Sequence, residues 1–256
     1  MRHLITADIH GQYDELMTAL ECARYDESAD RLILLGDMVD RGAQSREVLA
    51  CIAGLIARGR DLELLCGNHE DILQVFLGGK PAVLGGWLDA CRGISLLRSY
   101  GYDPGRLHFA GDRVWADAEE IADGEGARAF LLSVMPASHL SVIEGARRFY
   151  TAVPHSLWET DVFCCHAGLM QKRKVDEIAQ WLFAWGDPSW HRGRSTDFQP
   201  ATAYGHFHLR SGPLVRYRRI CLALETGVAV LVPEEELIVT SDRKHISLDR
   251  RQVLGG

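Results

Sequence analysis

The chain has 256 residues, 47% hydrophobic and 25% charged, with a formal net charge of −7. That length buries a substantial core without demanding two domains, and the composition is that of a globular protein rather than a disordered or fibrous one. The acidic balance argues against general nucleic-acid binding, which calls for a basic stripe, and no apolar run approaches the roughly 18 residues of a membrane span.

In chain order, an apolar strand at residues 4–7 precedes a helical pattern through Leu16, Ala19, Leu20 and Ala23. A second strand at 32–35 leads to a helix with Val48, Leu49, Ile52, Leu55 and Ile56 on its apolar face. A third strand at 62–66 leads to Ile72, Leu73, Phe76 and Leu77. This alternation predicts parallel βαβ units with helices over the sheet, and ligands then gather beyond the carboxyl ends of the strands. Gly78-Gly79-Lys80-Pro81 breaks the pattern. Residues 81–135 read as a helical cap with glycine turns, carrying Trp87, Arg92, Arg98, Tyr100 and Trp115. Packing beneath the cap is the favoured reading of these aromatics, and a lid over the site is the sharper one.

From residue 148 the chain becomes β-rich. Strands are predicted at 148–153, 162–165, 201–204, 214–217, 220–224, 228–232 and 237–240, with an amphipathic helix at 175–183. A single domain over 1–256 is expected. The seven cysteines, Cys22, Cys51, Cys66, Cys91, Cys164, Cys165 and Cys221, are odd in number and lack CxxC spacing; Cys66, Cys164, Cys165 and Cys221 read as small buried hydrophobes, and a reducing compartment is expected. Met1 runs within seven residues into Asp8, leaving no room for a signal peptide, so a cytoplasmic protein is expected.

Five short motifs each follow an apolar run: Asp8-Ile9-His10-Gly11, Gly36-Asp37-Met38-Val39-Asp40-Arg41-Gly42, Gly67-Asn68-His69-Glu70, Cys165-His166-Ala167-Gly168 and Gly205-His206-Phe207-His208. A lone histidine after a strand is ordinarily structural. Five such motifs at five strand ends point to one shared centre of carboxylate, amide and imidazole ligands, suited to divalent metals.

On these motifs the chain resembles the phosphoprotein phosphatases of the calcineurin-like metallophosphoesterase superfamily, in their bacterial and phage branch. The resemblance implies an α/β fold of central mixed β-sheets flanked by helices, with a helical cap insertion. It places Asp8 and His10 on a first metal, Asp37 between two metals, and Asn68, His166 and His206 on the second. Manganese is the expected cation, with iron or zinc as alternatives. Arg41 is then a phosphate clamp, with Asn68 also near the phosphate, and His69 the general acid, oriented by Asp40. A second phosphate-binding arginine is expected before the last motif, where Arg192 is preferred to Arg194. The implied reaction is in-line attack by a metal-bridging hydroxide, with no covalent intermediate.

Two departures from the family pattern stand out. Ala7 replaces the usual glycine, a small change. The last motif reads G-H-x-H where the protein phosphatases read G-H-T-P. Residues two apart on an extended segment share a face, so His208 is expected to join His206 at the metals. The leading substrate is a phosphoserine, phosphothreonine or phosphotyrosine protein. A dinucleoside polyphosphate such as diadenosine tetraphosphate is the alternative, and a small phosphorylated molecule a third. Adenine would need a stacking platform, for which Trp87, Tyr100, Trp115 and Trp190 are the candidates. A non-catalytic scaffold should have lost a ligand or the acid, and every matched position is filled.

Overall fold

The computed structural model describes residues 1–80, 83–102, 107–110, 113–116, 124–146, 148–154, 161–170, 172–193 and 201–248. It opens with the expected alternation: β1 (His3–Thr6), α1 (Tyr13–Cys22), β2 (Arg31–Leu34), α2 (Ser45–Ala57), β3 (Leu62–Leu64) and α3 (Asn68–Leu77). The three strands pair in parallel, Leu4 beside Leu32 and Leu32 beside Leu62.

The cap segment follows as α4 (Leu84–Ala90), α5 (Ile94–Ser99), β4 (Leu107–Ala110), β5 (Arg113–Ala116) and α6 (Gly124–Val134), then α7 (Ala137–Gly145). The stretch is mostly helical as expected, but the antiparallel hairpin β4–β5 within it was not foreseen. Leu107 and Phe109 alternate with His108 and Ala110, and Val114 and Trp115 add β-branched and aromatic residues, a strand signal rather than a helical one.

The carboxyl half adds β6 (Tyr150–Val153), β7 (Val162–Cys165), α8 (Leu182–Trp185), α9 (Pro188–Arg192), β8 (Ala201–Tyr204), β9 (Leu214–Arg216), β10 (Arg219–Cys221), β11 (Ala229–Val232), β12 (Leu237–Thr240) and β13 (His245–Ser247). The helix expected at 175–183 is instead a 3₁₀ turn at Val175–Glu177 followed by the short α8. A segment this short cannot support helix nucleation by itself, and burial of Ile178 and Phe183 decides its path.

Two mixed sheets face each other, one ordered β13-β12-β11-β1-β2-β3 and the other β6-β7-β8-β10-β9. Strand alternation divides the core between them. Leu4, Leu32, Leu34, Val230 and Val239 point to α1, α2, α3 and the cap helices. Their neighbours Ile5, Ile33, Leu231 and Ile238 meet Val162, Cys164, Ala203 and Ile220 between the sheets. Phe163, Cys165 and Tyr204 on the outer face of the second sheet are covered by Phe183 and Trp190. The layers therefore run helix, sheet, sheet, helix. Among the described residues no single helix is long and apolar enough to cross a membrane.

The cap is joined to the core at Phe76, fully buried on α3, whose ring lies 5.0 Å from that of Trp87 on α4. Phe76→Ala should cost about 3–5 kcal/mol of unfolding free energy, through lost burial and the cavity left behind. Urea denaturation measures this, and a loss below about 1 kcal/mol would show that cap and core do not share a core here.

Candidate bimetal centre

Asp8, Asp37, Asn68, His166 and His206 lie just beyond the carboxyl ends of β1, β2, β3, β7 and β8, so both sheets deliver ligands to one place. The loops that do this are strained. Asp8, His10, Asp37, Asp40, Arg41 and His206 all adopt left-handed backbone, with φ between 47° and 70°. Such conformations cost on the order of 1–3 kcal/mol each for non-glycine residues and persist only where the surroundings enforce them. The enforcement is visible. The first two loops are sewn together by the N–H groups of Asp8, His10, Gly11 and Gly42, donated to Gly36, Asp37, Met38 and His10 at 2.9–3.1 Å. The fifth loop closes on the first, because the His206 N–H donates to both Asp8 carboxylate oxygens at 2.9 and 3.0 Å. That approach requires glycine at 205: a Cβ there would lie 1.8 Å from Asp8 Oδ2.

The donors fall into three groups, of which His10, Asp37 and His69 form the one that overlaps the other two. Asp8, His10 and His208 form one; Asp37, His166 and His206 form another, with Asn68 Oδ1 at 2.9 Å from His206 Nδ1 and 3.2 Å from His166 Nε2. Asp37 Oδ2 stands 3.3 Å from His166 Nε2 and 3.5 Å from His10 Nε2, between the two groups. His69 also belongs here: its Nε2 is 3.7 Å from Asp37 Oδ2, buried, and without a hydrogen bond.

This donor set fits divalent cations. The His10 Nδ1–H donates to the Val39 carbonyl at 3.1 Å and the His208 Nδ1–H to that of Leu224 at 3.0 Å. Each ring is thereby set with its Nε2 lone pair inward, the usual arrangement behind a ligating histidine. The two Nε2 atoms are only 3.3 Å apart, and opposed lone pairs at that distance call for a positive charge beside them. The Arg41 guanidinium supplies part of it, donating to His208 Nε2 at 2.7 Å.

The electrostatics agree. Burial pushes Asp8 up and His10 down, and it takes His206, next to His166, down to about 3. Burial opposes ionisation of Asp37, yet His166, His69 and His10 together hold it well below the carboxylate range. His166 loses charge stability to burial and regains more from Asp37 and Asp8, rising to about 9. His69 is likewise raised, burial being outweighed by Asp37 and by the Asp40 carboxylate, to which its Nδ1–H donates at 2.8 Å.

Three supporting residues were not assigned from the sequence. Glu70 accepts the N–H groups of Asp37, Met38 and Gly67 at 2.7, 2.8 and 3.1 Å, tying the second loop to α3. Its signal was present, an acid three residues after the helix-opening Gly67. Trp87 had none: its Nε1–H donates to Asp40 Oδ2 at 2.9 Å from the cap. Arg210 joins Arg41 and Arg92 in a cleft of about 580 Å³ beside the first donor group.

Other expectations fare differently. Arg192 is exposed at the end of α9, and among the described residues no contact joins it to the donors. Arg194 lies outside the described residues. The aromatic platform is corrected: Trp87 and Trp190 are fully buried, Trp190 beneath the Arg219 guanidinium at 4.6 Å, and Tyr100 is buried with its hydroxyl on His139. Rings buried this deeply cannot stack on a ligand. The Trp115 side chain is outside the description.

Two outcomes follow from this geometry. Any cation must displace the proton that Asp37 and Asp8 hold on His166, so metal binding should release protons and strengthen with pH. In the metal-free protein that proton's stabilising contribution is complete below the ordinary histidine value and is lost as pH rises through about 9. Manganese should therefore raise the melting temperature more at about pH 9 than at about pH 6; at a hundred times Kd the gain is about 2.7 kcal/mol. Equal shifts at the two pH values would contradict the competition. His208→Ala should weaken at least one of the metal affinities by more than about tenfold. Metal content after dialysis, read by plasma mass spectrometry, checks this, and an unaltered content removes His208 from the ligand set.

Comparison with known proteins agrees with the site. A model of the calcineurin-like phosphoesterases matches residues 1–226. The chain is 42% identical over 79 residues to a symmetrical bis(5'-nucleosyl)-tetraphosphatase of Sodalis glossinidius (strain morsitans), spanning 30% of this chain and 27% of that protein. It is 46% identical over 72 residues to the enzyme of that name from Baumannia cicadellinicola subsp. Homalodisca coagulata, spanning 28% and 24%. The matches thus span about a quarter of the length of these curated relatives. Among solved structures, a candidate diadenosine tetraphosphatase superposes with a TM-score of 0.57 at 18% identity, over 93% of this chain and 92% of that one. A cold-active protein tyrosine phosphatase does so with a TM-score of 0.59 at 17% identity, over 98% and 80%. At these identities the two structures show a shared fold alone. With its family match spanning both halves of the site, the chain belongs to the calcineurin-like phosphoesterases.

Proposed function

We propose that the chain is a metal-dependent phosphoric ester hydrolase whose substrate is a dinucleoside polyphosphate. The observation that carries the substrate class is the arginine-lined cleft opening on the Asp8–His10–His208 group. In a chain of net charge −7, cations gathered there favour a ligand with several negative charges. A cavity of about 580 Å³ also exceeds what one phosphoryl group fills. The names of the curated relatives support the same class. A phosphoprotein, ranked first on the motifs, is the second reading, favoured by the G-D-x-V-D-R-G and G-N-H-E spacing.

Asp8, His10 and His208 would hold one cation and Asn68, His166 and His206 the other, with Asp37 common to both. When bound, such a pair polarises the phosphoryl group and lowers the pKa of water in the site. The protein's own groups do the rest. Arg41, at the cleft wall, binds phosphoryl oxygens through its planar fork. Asp40, held by Trp87, fixes the Nδ1–H tautomer of His69 and favours its charged form. Burial opposes the His69 charge, but Asp37 and Asp40 outweigh it and raise the ring's proton affinity, which suits Nε2 to pass a proton to the leaving oxygen.

A manganese-supplemented panel of diadenosine tetraphosphate, a phosphoserine peptide and an aryl phosphate tests this reading. The dinucleotide should show the highest kcat/KM, and Asp37→Asn should abolish all three activities. A higher kcat/KM for the peptide would sink the substrate assignment, and turnover that survives Asp37→Asn would sink the centre.

A further inference from the structure

Three arginines line the cleft, and two are already engaged. Arg41 donates to His208 at 2.7 Å, and Arg210 pairs with Glu225 at 2.9 Å. Arg92 faces no carboxylate among the described residues, although it lines the same space. An exposed arginine is ordinarily a solvated charge on a loose side chain. Here the backbone beneath it is specified with unusual care.

Arg92 adopts a left-handed conformation, φ 54°, in the turn between α4 and α5. The next residue is Gly93, whose N–H donates to the Trp87 carbonyl at 3.1 Å. A Cβ at 93 would lie 2.2 Å from the Trp87 indole, so the turn is pressed directly onto that ring. Trp87 is fully buried and donates its indole N–H to Asp40, the partner of His69. A continuous set of contacts thus runs from the Asp40–His69 pair through Trp87 to the turn that presents Arg92. The cap strain is of the kind that persists at ligand clamps, and the side chain it presents is a cation in a cleft beside anion-seeking groups.

We propose that Arg92 binds a phosphate of the substrate other than the one being cleaved. Resting on the dinucleoside polyphosphate reading, this sets a phosphate chain along the cleft, from Arg41 at the donor group to Arg92 at the cap wall. Arg210, which lines the same cleft, has its charge balanced by Glu225. A phosphomonoester has no group for Arg92 to hold, whereas a polyphosphate carries charge on every phosphate. Arg92 is therefore a specificity-determining residue that the cap contributes.

Arg92→Asn removes the guanidinium while retaining a residue tolerant of the left-handed turn. The ratio of kcat/KM for diadenosine tetraphosphate to that for the aryl phosphate should fall by about tenfold or more, the loss of one charge-assisted contact. Arg92→Lys should fall between, keeping charge but not the fork. An unaltered ratio in Arg92→Asn overturns the assignment, including the case in which both activities drop in parallel. Should the unmodified protein fail to cleave the dinucleotide, the substrate reading itself is wrong, and calorimetric titration decides for Arg92 separately. Tripolyphosphate binding weakened about tenfold in Arg92→Asn, relative to orthophosphate binding, upholds the contact. Equal tripolyphosphate affinity in the two proteins refutes it.

Discussion

The structure turns on the buried Asp37 carboxylate. One oxygen lies within 3.7 Å of three imidazole nitrogens, from His10, His69 and His166, and the other accepts the His69 N–H at 3.1 Å. A buried carboxylate is costly unless compensated, and three imidazoles with one amide compensate it only if loops from both sheets converge. The left-handed turns, the glycine at 205 and the Glu70 clasp all serve that convergence. Remove the charge and the strained loops lose the partner that holds them. Add cations and the same donors become ligands.

The second organising contact is the indole hydrogen bond from Trp87 to Asp40. It reaches from the cap helix α4 into the loop after β2, so the orientation of His69 depends on the cap being seated. Phe76 and Gly93 grip the same indole from opposite directions in the chain, one from α3 and one from the cap turn. The cap is therefore more than a covering layer. It orients the proposed proton donor and supplies Arg92 to the cleft wall, which links substrate recognition to the acid through a single buried ring.

How much was legible beforehand follows from the range of the interactions involved. β7, β8 and β12 fall at the residues expected, because continuous apolar runs between turn signals are local features. β1 and β2 are displaced by one residue and β3 ends two residues early, as boundaries commonly vary. The β4–β5 hairpin and the 175–183 segment were misread because each is short, and packing rather than propensity decides such pieces. The sequence also left β13 unread, a three-residue edge strand held by pairing with β12 and by Ile246 against the inter-sheet core.

For the site, the sequence alone determined which donors exist and that they stand at strand ends, since motif and period are both local. His208 was expected beside the donors on an extended-chain argument, but the backbone turns at His206, φ 64°, and that bend rather than strand alternation sets His208 beside Asp8 and His10. The tertiary structure decided everything that depends on distance between remote segments. It put Asp37 between the two donor groups, turned the inward lone pairs of His10 and His208 toward each other, and set Arg192 apart from the donors. It buried Trp87, Tyr100 and Trp190 where a stacking platform had been sought, and brought Arg92 and Arg210, which no motif marks, to a cleft that His10, Arg41 and His208 also line. Side-chain direction, unlike residue identity, is set by what packs against it, and those partners lie up to 198 residues away in the chain.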